Sequence, residues 1–179
     1  MIAYAITDPS TLSFNTLQHD LKRFSTKANI LVYRDKLTPH YGLEAELFIN
    51  KSKAYDFTKV LLHTDYILAH KLKADGIHLR STQFNDIEKA KILGLFVVIS
   101  THTIEEAKMA ESLGADMITF SPIFPSPNKG TPKGVEALKR VVGRVSIPVI
   151  ALGGIVTLEH IKLVQESGAK GFASIRWFK

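Results

Sequence analysis

The chain is predicted to fold as a (β/α)8 TIM barrel that lacks its final helix, and three observations predict it. Eight short runs rich in β-branched and aromatic residues alternate with seven stretches of helical periodicity. The connections are all short, the pattern of parallel strands joined by crossover helices. Strands such as FVVI and PVIAL are apolar on both sides, as in a sheet with a filled interior and helices outside.

The strands are expected at 2–7, 29–34, 59–64, 76–79, 96–101, 117–121, 148–152 and 171–175. Helical patterns fall at 16–24, 42–55, 66–72, 86–93, 104–113, 135–142 and 158–167, each with apolar residues three and four apart. Three joins, KADGIHL (73–79), GADMITF (114–120) and GAKGFASI (168–175), stop a helix with a small or turn-forming residue and launch a strand within a few positions. Thr103 before IEEA and Thr157 before LEH are N-cap candidates. With no linker or composition shift, residues 1–179 read as one domain. The sequence ends just after the eighth strand, so a flank near Trp177 and Phe178 is expected to be uncovered and to offer a homo-oligomer interface.

Composition narrows the function. Apolar residues are 45% and charged ones 22% of the 179, which excludes a largely disordered chain. No apolar run approaches the roughly 20 residues of a membrane helix, and no signal peptide is visible at the N-terminus. The absence of cysteine removes disulfides, thiolate catalysis and Cys-based zinc sites, and favours the cytoplasm. The net charge of +6 is spread over helix faces with no basic run, so a small anion is expected as partner, not nucleic acid.

In such barrels the chemistry sits at the C-terminal strand ends. Gly153-Gly154 follows strand seven, where backbone N–H groups can meet a phosphate together with the end of strand eight at Ser174. Arg34 and Lys36, two apart after strand two, pair a donor fork with a point charge, a combination suited to phosphate or pyrophosphate. After strand six, FSPIFPSPNKG (120–130) ends the strand in three prolines that stiffen a loop carrying Ser126, Asn128 and Lys129. Histidines titrate near neutrality, which makes His102, beside Ser100 at the end of strand five, the acid/base candidate. His78, flanked by Ile77 and Leu79, is expected to hydrogen-bond inside the barrel.

The segments RDK (34–36), ADGIHL (74–79), 100–130 and SIPVIALGGI (146–155), in this order and spacing, resemble the family of thiamine phosphate synthase and TenI, the thiazole tautomerase. The resemblance runs from AYAITD (3–8) to GFASI (171–175) and implies a (β/α) barrel that binds a phosphorylated thiazole, together with a pyrimidine diphosphate in the synthase. It implies pyrophosphate binding by Arg34, Lys36 and Lys129, with Ser126 and Asn128 at the positions of two threonines. Gly154 matches the phosphate-binding glycine, and Ser100 and His102 match an S-x-H whose histidine shuttles protons in TenI.

Two departures bear on magnesium. The synthase carries Asn-Asp after strand three, where His63-Thr64 stand here, and Gly-Gln-x-Asp after strand four, where Arg80-Ser81-Thr82-Gln83 stand. Both magnesium-binding aspartates are missing from that alignment. Arg80 supplies charge there but not coordination, and Arg176 replaces a usual small residue near the thiazole phosphate. Tautomerisation needs a phosphate anchor and a proton donor and acceptor, with no cofactor. The expected function is therefore a TenI-like tautomerase. The alternatives are a magnesium-dependent synthase that recruits Asp65 and Asp86, and a non-catalytic sensor of thiamine-related phosphates.

Overall fold

A computed structural model describes residues 1–127 and 129–179; the anion-binding expectation on Asn128 lies outside the described residues. Strands β1 (Ile2–Ile6), β2 (Ile30–Tyr33), β3 (Lys59–His63), β4 (Gly76–Leu79), β5 (Phe96–Thr101), β6 (Met117–Phe120), β7 (Val149–Leu152) and β8 (Gly171–Ser174) follow one another round a closed barrel. All adjacent pairs are parallel, and Ile2 opposite Gly171 through Ala5 opposite Ser174 closes the ring. The intervening helices are α1 (Leu17–Ser25), α2 (Tyr41–Ser52), α3 (Tyr66–Lys71), α4 (Ile87–Ile92), α5 (Ile104–Ser112), α6 (Gly134–Val142) and α7 (Leu158–Glu166). The (β/α)8 expectation holds, with each strand within a residue or two of its predicted bounds.

Alternation along the strands sorts the side chains. Tyr4, Ile6, Ile30, Val32, Leu61, Val98, Met117, Ile150 and Ala173 form one buried cluster. Their neighbours Ala5, Leu31, Leu62, Ile77, Val97, Ile99, Ile118 and Ala151 belong to a second, shared with the helices. The first cluster fills the barrel. Continuing its two-residue period toward the strand ends replaces apolar residues with polar ones: Ile6 gives way to Asp8, Val32 to Arg34, Leu61 to His63, and Val98 to Ser100 and His102. The period that builds the core therefore also aims the rim.

Thr103 caps α5 by accepting from the Glu106 N–H at 3.0 Å, and Thr157 caps α7 by accepting from the His160 N–H at 3.1 Å, as expected. The helix predicted over 42–55 stops at Ser52, and Tyr55 instead sends its hydroxyl to the Gln18 carbonyl at 2.9 Å.

There is no eighth helix among the described residues; one 3-10 turn, Arg176–Phe178, follows β8. The flank is less bare than predicted, because Phe178 turns inward and is fully buried. Its ring lies 6.4 Å from Phe24 and 6.0 Å from Phe172, and Arg23 donates to its carbonyl. Burying that ring contributes roughly 1.5–3 kcal/mol. Trp177 stays half-buried. Phe178 is thus withdrawn from the expected interface, while Trp177 keeps part of its surface there.

Candidate active site

A cavity of about 660 Å³ opens inside the C-terminal rim. Arg34, Lys36, Ser100, His102, Ser126, Lys129, Gly153, Gly154 and Ser174 all line it, together with His63, His78, Arg80 and Arg176. Residues predicted from five different strand ends therefore converge on one space.

The His102 ring is held in a defined tautomer. Its Nδ1 lies 3.0 Å from the Ser121 carbonyl, which can only accept, so Nδ1 carries a hydrogen and the lone pair of the neutral ring is on Nε2. The backbone is fixed as well, since the His102 N–H donates to Glu106 Oε2 at 2.5 Å. Glu106 had not been singled out in the sequence, although the Thr-x-x-Glu spacing from Thr103 is a capping-box signal that marks it.

Behind Ser100 lies a buried chain of hydrogen bonds. The Tyr4 hydroxyl is 2.8 Å from His78 Nδ1, and His78 Nε2 is 3.0 Å from Ser100 Oγ. Burial raises the Tyr4 phenol well above its ordinary range, so it keeps its proton and donates to Nδ1. Nε2–H then donates to Ser100. Thr119 Oγ1 approaches Ser100 Oγ at 3.4 Å, which leaves the Ser100 proton for the cavity. His78 is interior and hydrogen-bonded, as expected, and it serves to orient Ser100.

The same burial predicts acid sensitivity. It pushes His78 down from 6.5 to about 3, with Arg34 adding repulsion. Burial, followed by His78, Arg34, Lys36 and Arg80, pushes His63 from 6.5 to about 2. Both rings are neutral when folded and bind protons near 6.5 when unfolded. Their stabilisation is complete above that value and is lost as pH falls toward the folded-state values. The thermal midpoint is expected to drop between about pH 7 and 5, a window largely above carboxylate titration, and His78→Gln should flatten the slope. An unchanged wild-type midpoint across that window would refute it.

At the opposite wall, Gly153 and Gly154 sit at φ +100 and +72. Their turn is held to the strand-six loop by Ile123 N–H to Leu152 O and Phe124 N–H to Gly153 O, each 3.0 Å. Among the described residues, the N–H groups of Gly153 and Gly154 meet no protein acceptor, so they are available to an anion. Ser174 lines the same cavity, and its side chain braces the wall. Its hydroxyl donates to the Ile155 carbonyl at 2.8 Å and accepts from the Trp177 N–H at 3.1 Å. Its proton is committed to holding the glycine turn against the end of β8.

The two acids weighed as magnesium ligands point elsewhere. Asp65 caps α3, its Oδ1 accepting from the Leu68 N–H at 2.8 Å. Asp86 accepts from Gln83 at 3.2 Å and from Lys89 at 3.1 Å. Neither lines the cavity, and no group of three or more His, Asp or Glu suited to a metal occurs among the described residues.

With this geometry in place, the comparisons converge. The thiamine monophosphate synthase (TMP-TENI) family profile matches residues 3–178. A protein of Aquifex aeolicus named putative thiamine-phosphate synthase 2 is 36% identical over 183 residues, covering 98% of this chain and 96% of that protein. The match to a thiamine-phosphate synthase of Caldivirga maquilingensis, 43% identical over 106 residues, covers 57% of this chain and 51% of that protein. Among solved structures, thiamine phosphate pyrophosphorylase from Pyrococcus furiosus superposes with a TM-score of 0.83 at 27% identity, over 97% of this chain and 85% of that one. The chain belongs to the thiamine monophosphate synthase family.

Proposed function

We propose that the protein is a metal-independent proton-transfer catalyst acting on a phosphorylated thiazole carboxylate, a tautomerase of thiamine biosynthesis. The observation that carries this reading is the His102 tautomer, whose Nε2 is free to take a proton beside the hydroxyl of Ser100, in one cavity with the open N–H groups of Gly153-Gly154. The glycine turn holds the phosphate. His102 removes a proton from one carbon and returns it at another, so one C–H bond breaks and another forms while the phosphate ester is untouched. Ser100 donates to the substrate as charge develops.

The synthase is the second reading, favoured by the names of the relatives and by the cationic rim of Arg34, Lys36, Arg80 and Lys129. The donor set does not fit the magnesium that reaction uses. Asp8 is the carboxylate that lines the cavity, and its Oδ1 already accepts from the Ser10 N–H at 2.9 Å and the Ser10 hydroxyl at 2.7 Å.

Incubation with a thiazole carboxylate phosphate in D2O and EDTA is expected to give deuterium at carbon, read by NMR. Pyrophosphate release from the pyrimidine diphosphate and thiazole phosphate with magnesium, without that exchange, would establish the synthase instead. Binding with neither activity would make the barrel a sensor.

A further inference from the structure

His63, His78 and His102 all line the cavity, and their rings are engaged to different degrees. His78 uses both ring nitrogens, on Tyr4 and Ser100, and His102 holds the Ser121 carbonyl through Nδ1. Among the described residues, His63 hydrogen-bonds only through its backbone. Its N–H donates to the Tyr41 hydroxyl at 3.1 Å, and its carbonyl accepts from the Asp65 N–H at 2.9 Å. The half-buried ring stands edge-on to His78, with 6.0 Å between centroids. No side-chain nitrogen or oxygen among the described residues is buried without a partner, so the unpartnered His63 nitrogens are reachable from the cavity.

The backbone that presents this ring is strained and braced. Thr64, the next residue, has φ +69, a left-handed conformation in which a β-branched side chain is an outlier. Its N–H donates to the His78 carbonyl at 3.0 Å, and its own carbonyl accepts from Gln83 Nε2 at 3.0 Å. The Tyr41 hydroxyl that receives the His63 N–H donates in turn to the Tyr33 carbonyl at 3.0 Å. Strain held by surrounding bonds beside a cavity-lining side chain points to a ligand contact. Placement says which part of the ligand. His63 ends β3, four strands round the ring from β7 and its glycine turn, with Ser100 and His102 on β5 midway between. A ligand anchored by its phosphate at β7 and reacting beside β5 therefore carries its remaining end toward β3. Burial first, then His78, Arg34, Lys36 and Arg80, keeps the His63 ring neutral, so it offers a hydrogen bond there and is too weak a base for the proton transfer.

We propose that His63 is a specificity-determining residue, its ring N–H donating to the carboxylate at the end of the substrate remote from the phosphate. Arg34 and Arg80, after the flanking strands β2 and β4, give this wall a positive field that draws a carboxylate to it. The neutral donor, held in a fixed place, then separates a carboxylated ligand from the same phosphorylated ring without that group. A hydrogen bond to an ionised acceptor is among the stronger ones. The assignment rests on the phosphorylated carboxylate proposed above, but it concerns binding alone. It can stand where carbon exchange fails, and can fall where exchange is found.

Isothermal titration in EDTA with two probes tests it, a thiazole carboxylate phosphate and the same thiazole phosphate lacking the carboxylate. The wild-type protein is expected to bind the carboxylated probe ~10-fold or more tightly than the other. His63→Ala should lose ~10-fold for the carboxylated probe and change the other by less than ~2-fold. His63→Gln, whose amide keeps a neutral donor, should recover part of the loss. Where deuterium exchange is measurable, His63→Ala should raise KM and leave kcat nearly unchanged, as expected for a contact made equally in the ground and transition states. Equal wild-type affinity for the two probes would overturn the proposal without any variant. Equal losses for both probes in His63→Ala would reduce the ring to a structural part, and wild-type affinity in that variant would remove it from the site. Carboxylate-dependent binding lost in His63→Ala, in a protein that exchanges no deuterium, would uphold this contact and overturn the proton-transfer reading.

Discussion

Replacing His102 with alanine is expected to lower carbon-exchange turnover by ~10²–10⁴-fold while leaving the affinity for the phosphorylated ligand nearly unchanged. The phosphate is assigned to the glycine turn at the end of β7, and His102 sits at the end of β5 with its Nδ1 tied to the Ser121 carbonyl at 3.0 Å. Deleting the ring removes the base and leaves the anchor. Glu106→Gln is the positioning counterpart, since the Glu106 carboxylate holds the His102 N–H. It should reduce turnover less than His102→Ala, because the Ser121 carbonyl still fixes the tautomer. A His102→Ala variant with wild-type exchange would move the chemistry elsewhere. Loss of binding and turnover together would instead mean that the ring helps to hold the ligand.

The barrel was legible because two periods were legible. Apolar residues every second position along eight runs, with helical spacing between them, leave few topologies other than the closed ring. The same alternation placed Arg34, Ser100 and His102 correctly, because a strand's inward face continues to the rim. Reading each residue's own partners was harder. Asp65 follows β3 and looked like a mouth acid, but a carboxylate three residues before an unpaired N–H in a first helical turn caps that helix, and it accepts from Leu68. Ser174 ends β8 beside the glycine turn, yet its hydroxyl faces the Ile155 carbonyl. The Tyr4–His78–Ser100 chain joins residues 74 and 22 positions apart, and only closure of the ring brings them together. Phe178 illustrates the reverse. A terminal aromatic with no helix after it suggested an exposed flank, whereas the gap between the last strand and α1 was the space its ring could fill.

The second large effect is expected at Gly154, and two glycines with similar backbones show why. Gly94 and Gly154 have φ of +78 and +72, so alanine at either meets the left-handed penalty of about 1–2 kcal/mol. A Cβ at Gly94 would have nothing within 4 Å, whereas at Gly154 it would lie 2.6 Å from the carbonyl oxygens of both Phe124 and Pro125. Those are backbone atoms in a segment hydrogen-bonded to the turn at Gly153. They cannot yield without moving the loop that carries Ser126 and Lys129. Gly154→Ala should therefore displace the phosphate-facing N–H groups and the rim loop together. Losing even two hydrogen bonds to an anion at roughly 1.5–3 kcal/mol each lowers affinity by ~10²-fold or more. Gly94→Ala should cost only stability and leave binding unchanged. Calorimetry of the phosphorylated ligand on both variants, with thermal midpoints measured alongside, separates the two effects. Equal stability losses with intact binding at Gly154 would show that the turn tolerates a side chain and that the anion is held by other groups.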